Sequence, residues 1–89
     1  MARSRKSAFG RLVGKSFGKV LQDYRIKAHL SVHKMATKAD VDPKYLYQLE
    51  KGHSQPTLEI VFRLTDALDV DPRDIVGKTR SKIGRNSRS

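Results

Sequence analysis

Residues 41–58, VDPKYLYQLEKGHSQPTL, constrain the fold most, because they leave room for one short helix and nothing longer. Asp42 is a good N-cap and Pro43 suits the first helical position, where its missing N–H costs nothing. Gly52 supplies a natural stop. Between these signals Leu46 and Leu49 share one face, while Lys44, Tyr47, Gln48 and Lys51 lie on the opposite one at roughly 100° per residue. A helix this short is marginal alone and must rest its leucines on other helices. Its polar face then projects outward, and Lys, Tyr and Gln are side chains that reach base edges or phosphates in a DNA major groove.

The flanking sequence supplies the other helices. Ser16 is the expected cap of a first helix, in which Phe17, Val20, Leu21, Tyr24 and Ala28 recur at helical spacing and Asp23 pairs with Lys27. His29 and Leu30 close it. Ser31 caps a second helix, with Met35, Ala36 and Ala39 facing inward and Lys34 and Lys38 outward. Asp40 and Val41 form a tight link to the third. His53, Ser54, Gln55 and Pro56 make a loop, since a residue preceding proline disfavours helix. Thr57 caps a fourth helix whose apolar set is Leu58, Val61, Leu64 and Leu68, widened by Ile60 and Phe62. Asp71 and Pro72 start a short fifth helix ending near Ile75 and Val76. There is no strand pattern and no internal repeat, so the expected fold is all-α, five helices over residues 16–76.

Composition narrows what such a bundle can do. The 89 residues suffice for one domain, and without cysteine the core must come from helix packing alone. No run is apolar enough to span a membrane, and the basic N-terminus lacks the apolar stretch of a secretory signal, so a cytoplasmic location is expected. The net charge is +10, and residues 17–76 balance nine Lys/Arg against nine Asp/Glu. The whole excess falls at the ends: Arg3, Arg5, Lys6, Arg11 and Lys15 in residues 1–16, and Lys78, Arg80, Lys82, Arg85 and Arg88 in residues 77–89. Both ends are rich in Ser and Gly. They read as disordered basic tails, over 1–15 and 77–89, suited to a polyanion. Phe9, Leu12 and Val13 are the exception, a potential helical turn within the first tail.

The order of these elements resembles the Cro/phage-repressor, or xenobiotic-response-element, family of helix-turn-helix proteins over residues 17–76. Leu30-Ser31, Ala36, Val41, Leu46, Leu49, Glu50 and Gly52 carry the resemblance, followed by Pro56-Thr57-Leu58-Glu59 and Ala67-Leu68-Asp69-Val70. It implies a lambda-repressor-like fold. It also implies an ion pair between Arg25, late in helix 1, and Glu50, at the end of helix 3, that fixes the angle of helix 3. Three positions depart from the family. Asp40 stands where the turn usually has glycine, a left-handed site that Asp tolerates better than most residues. Val32 replaces a glutamine that touches phosphate, and Pro43 occupies a frequent base-reading position.

The resemblance further implies binding of double-stranded DNA, with helix 3 in the major groove. Lys44 is the candidate for guanine, Gln48 for an adenine edge or as a brace for Lys44, and Tyr47 for a thymine methyl or a phosphate. Tyr45 is expected to pack. Lys34, Lys38, Lys51, His53, Ser54 and Gln55 are expected on the sugar-phosphate backbone, joined by Arg3, Arg5, Lys6 and Arg11 of the first tail. Small regulators of this type bind palindromic operators as dimers, so a weak homodimer through Val70, Ile75, Val76 and Ile83 is expected, acting as a repressor. The alternatives are an antitoxin or bridging-type protein-interaction module, and a non-specific nucleic-acid-binding protein.

Other signals fail on spacing. Gly10-Arg-Leu-Val-Gly14-Lys15-Ser16 is one residue short of a phosphate-binding loop and follows no strand. Ser16 and Lys19 have a serine–lysine catalytic spacing without its companion motifs. His29 and His33 straddle a helix boundary and lack a third ligand. No paired carboxylates suggest acid–base chemistry. No enzyme, cofactor, metal or small-molecule substrate is expected.

Overall fold

The computed structural model describes residues 7–84. Five helices follow one another: α1 (Ala8–Lys27), α2 (Val32–Ala39), α3 (Pro43–Lys51), α4 (Leu58–Leu68) and α5 (Pro72–Ile83). Each start has a side chain accepting from an otherwise unpaired N–H. Ser31 accepts from Lys34 N at 3.0 Å, Asp42 from Lys44 N at 2.8 Å, Thr57 from Ile60 N at 3.2 Å and Asp71 from Arg73 N at 2.8 Å. Asp42-Pro43 and Asp71-Pro72 are therefore helix starts, as their order in the sequence predicts.

The first four helices end by one device. A residue turns left-handed, and the next N–H bonds a carbonyl five residues back: Leu30 to Arg25, Val41 to Ala36, His53 to Gln48 and Val70 to Thr65. The left-handed residues are His29, Asp40, Gly52 and Asp69. Asp40 thus holds the conformation that glycine usually supplies, at φ 58°. The residue closing the turn is apolar in three cases and is His53 in the fourth.

Two expected boundaries are wrong. Ser16 does not cap α1; it is buried within it, and the cap is Ser7, whose Oγ accepts from Gly10 N at 2.9 Å. Residues 8–15 are helical rather than part of a disordered arm. Likewise α5 continues past Val76 to Ile83, taking in residues 77–83 of the expected tail. Packing accounts for both. Phe9, Val13 and Phe17 of α1 line a cleft of about 310 Å³ with Val76, Thr79 and Ile83 of α5 and Pro56 and Val61. The two extensions form facing walls of this cleft. Arg3, Arg5, Lys6, Arg85 and Arg88 lie outside the described residues.

The core consists of Phe17, Val20, Leu21, Met35, Ala36, Ala39, Leu46, Leu49, Val61, Leu64, Leu68 and Ile75, with Tyr24, Val41, Tyr45, Ile60 and Val70 packed on it. Five expectations need correction. Ala28 is exposed at the end of α1, and Leu58 and Phe62 are exposed on α4. Leu58 is the first residue of its helix and projects past the core's edge. Ile75, expected at a dimer surface, is fully buried beneath α5 and unavailable to a partner. Asp23 pairs not with Lys27 but with Lys19, one turn back, at 3.4 Å.

Candidate nucleic-acid interface

The segment from α2 to α3 is built to hold α3 at one angle. Leu46 and Leu49 are fully buried, which turns Lys44, Tyr47 and Lys51 outward as exposed residues with Gln48 half-buried beside them. Beneath α3, Glu50 is bound by Arg25 through Nε at 2.6 Å and Nη2 at 3.1 Å. The Gln22 amide donates to the same carboxylate at 3.4 Å, and Arg25 Nη1 donates to the Leu30 carbonyl at 2.8 Å. The pair is close to dry, with side-chain exposures of 13% and 4%. The hydrogen bond to Glu50 holds the Arg25 pKa above its ordinary value, outweighing the opposing effect of burial. This geometry ties the end of α1, the α1–α2 turn and the end of α3 at one point.

A second tie holds the α2–α3 turn. Arg63 of α4 donates to the Asp40 carbonyl at 3.1 Å and reaches its carboxylate at 3.3 Å, while its Nε bonds Glu59 at 3.0 Å. Glu59, then Asp40, raise the Arg63 pKa. These are exposed groups, so the contact orients more than it stabilises. It gives the left-handed aspartate a clasp that glycine could not offer through a side chain.

The expected interface residues fall into three places. On α3, Lys51 Nζ sits 5.2 Å from the centre of the Tyr47 ring, a cation–π distance. The Gln48 carbonyl oxygen accepts from His53 Nδ1 at 2.9 Å, which leaves the Gln48 amide donors directed elsewhere. On α2, Lys34 and Lys38 are exposed and line a groove with His33, Thr37 and Leu30. At the far end of α3, Lys51 and His53 line a second groove with Arg11 and Lys15 of α1. Gln55 departs from expectation: its amide donates to the Gly10 carbonyl at 2.8 Å, so it buttresses α1. Ser54 is half-buried in the same loop.

Sequence reasoning placed Lys15 in a disordered basic arm and missed the packing role of the glycines of α1. Gly10, Gly14 and Gly18 recur every fourth residue and form the face of α1 that meets the end of α3 and its loop. A Cβ on Gly18 would stand 2.7 Å from the Glu50 carbonyl oxygen, and one on Gly52 2.9 Å from the Lys15 Cα. Such approach is possible only without side chains, and Gly52 also needs its φ of 80°. The spacing of three glycines at i, i+4 and i+8 was the available signal.

Among the described residues no group of His, Cys, Asp and Glu could hold a metal ion, and no helix is long and apolar enough to cross a membrane. No curated protein matches the chain. Among solved structures, the clp gene regulator ClgR from Corynebacterium glutamicum superposes with a TM-score of 0.78 at 20% identity, over 85% of this chain and 81% of that one. The restriction-modification controller protein C.AhdI from Aeromonas hydrophila superposes with a TM-score of 0.67 at 30% identity, over 68% of this chain and 92% of that one. Residues 21–75, more than half of the sequence, match the helix-turn-helix family HTH_3. With that match, the helix order and α3 held outward on its buried leucines, the chain belongs to the HTH_3 family, the Cro/C1-type helix-turn-helix DNA-binding transcription regulators.

Proposed function

We propose that the protein is a sequence-specific repressor that binds a palindromic operator as a homodimer. The exposed face of α3 carries this reading: Lys44, Tyr47 and Gln48 stand outward on a helix fixed from beneath by Arg25 and Glu50. The N-terminal residues of such a helix reach base edges. Lys44 reads guanine, Gln48 donates its amide to a base edge, and Tyr47 contacts a thymine methyl or phosphate. Lys34 and Lys38 on one side, and Lys51, His53 and Ser54 on the other, grip the sugar-phosphate backbone, with Arg3, Arg5, Lys6 and Arg11 adding positive charge. Of the two solved structures, one is named a clp gene regulator and the other a restriction-modification controller protein, which favours gene control over DNA packaging. For the dimer, exposed Leu58, Phe62 and Val76 offer an apolar patch that the buried Ile75 cannot.

Selection of duplexes from random DNA at physiological salt tests the reading. A palindromic consensus is expected. Lys44→Ala or Gln48→Ala should then weaken the selected site by about 1–3 kcal/mol and relax preference at one position. Equal loss on random DNA would remove those residues as readers, and the absence of any consensus would overturn sequence-specific control.

A further inference from the structure

The first two turns of α1 have an unusual make-up for a helix start. They contain no acid, place Arg11 near the positive end of the helix dipole, and include Gly10 and Gly14. Two glycines and the unfavourable charge weaken the start that Ser7 caps, and tertiary contacts reinforce it. The Gln55 amide bonds the Gly10 carbonyl at 2.8 Å, and Gly14 approaches the Gly52 carbonyl so closely that an added Cβ would lie 3.3 Å from it. The consequence is positional. Lys15 is locked against Gly52, and Arg11 lies one turn before it on the same face.

We propose that this half of α1 is a fixed phosphate-binding element, in which Arg11 and Lys15 complete with Lys51 and His53 one cleft for a backbone strand of duplex DNA. The proposal rests on α3 lying in the major groove. Those four side chains and Gly52 line the cleft, and no acid does. Lys51 lies about 10 Å along α3 from Lys44, at 1.5 Å per residue. When the start of α3 is among the bases, its end emerges where the phosphates run. His53 fits the same purpose, since it occupies the turn-closing position that is Leu30, Val41 and Val70 elsewhere. A separate basic groove on α2, lined by His33, Lys34 and Lys38 with Leu30 and Thr37, shares no residue with this cleft.

The test uses the full chain, the selected operator and a scrambled duplex, each titrated over a salt series. Arg11→Ala with Lys15→Ala should weaken both duplexes by the same factor and reduce the slope of log K against log salt by about 1.8, the value for two phosphates. Base preference should stay unchanged. Gly14→Val and Gln55→Ala remove no positive charge yet should also lower the slope, because they release the element from the end of α3. Gln55→Ala alters an exposed side chain, which keeps the test valid if Gly14→Val unfolds. An unchanged slope for the double variant, with operator preference intact, overturns this proposal and leaves the reader assignment standing. A lowered slope for the double variant but not for Gln55→Ala or a folded Gly14→Val makes Arg11 and Lys15 a flexible arm, and also overturns it. A wild-type chain without duplex affinity overturns the reader and the cleft together.

Discussion

Replacing Glu50 by Gln isolates the charge that holds α3, since the amide preserves shape and one acceptor. In the native protein the Arg25 guanidinium, 13% exposed, makes two bonds to the carboxylate and one to the Leu30 carbonyl. Removing one partner of a buried pair costs about 3–5 kcal/mol, because the remaining charge is left in a dry site. Here Arg25 keeps Leu30 O and gains the amide oxygen, so the low end, about 3 kcal/mol, applies. For a domain of this size each kcal/mol lowers Tm by roughly 4–8 °C, which gives a drop of roughly 12–24 °C. Thermal unfolding followed by circular dichroism measures it. The double variant Arg25→Met, Glu50→Met provides the control, since a buried pair exchanged for apolar groups of similar volume is often neutral. Its Tm should recover most of the loss. A melting curve for Glu50→Gln that overlays the wild type would refute the claim that this pair bears on stability.

Two further outcomes follow from local geometry. Gly18→Ala gains about 1 kcal/mol of helix propensity but forces α1 away from the Glu50 carbonyl; overpacking of about 1–3 kcal/mol should prevail, so urea unfolding should show a lower midpoint, and a raised midpoint would mean that the close approach is not maintained in solution. The Asp71 carboxyl, bonded by the Arg73 side chain and backbone N–H, is held below the ordinary aspartate range. A depressed acid stabilises the fold above its unfolded pKa and loses that contribution as pH falls through the folded one. Amide exchange at the start of α5 should therefore be steady near neutrality and quicken only in strong acid, beyond the intrinsic pH trend; quickening near pH 5 would contradict it.

The helix starts from Ser31 to Asp71 were legible in the sequence because each is signalled locally, by a hydroxyl or carboxylate followed by a proline or an apolar period. The ends of the bundle were not. Residues 8–15 and 77–83 are basic and carry glycine, which locally reads as solvated chain. In the fold Phe9 and Val13 share the lining of one cleft with Val76 and Ile83, residues far apart in sequence. A residue-by-residue reading has no access to that pairing. The outward face of α3 was legible for the opposite reason: nine residues with two buried leucines fix their own phase. The place of Lys15 beside Lys51 and His53, and the bracing role of Gln55, depend on how α1 crosses α3, which periodicity does not encode.

The two ties on the α2–α3 unit bear on how binding is driven. Arg25–Glu50 fastens the end of α3 and Arg63–Asp40 fastens the turn before it, so its pitch and roll are set when the chain folds. The ordering entropy of α3 is then lost at folding and not at association. Docking on DNA should consequently leave the backbone of α3 nearly unmoved, with adjustment confined to side chains. The heat capacity of binding should correspond to the contact surface alone, without the excess that marks a segment folding on its target.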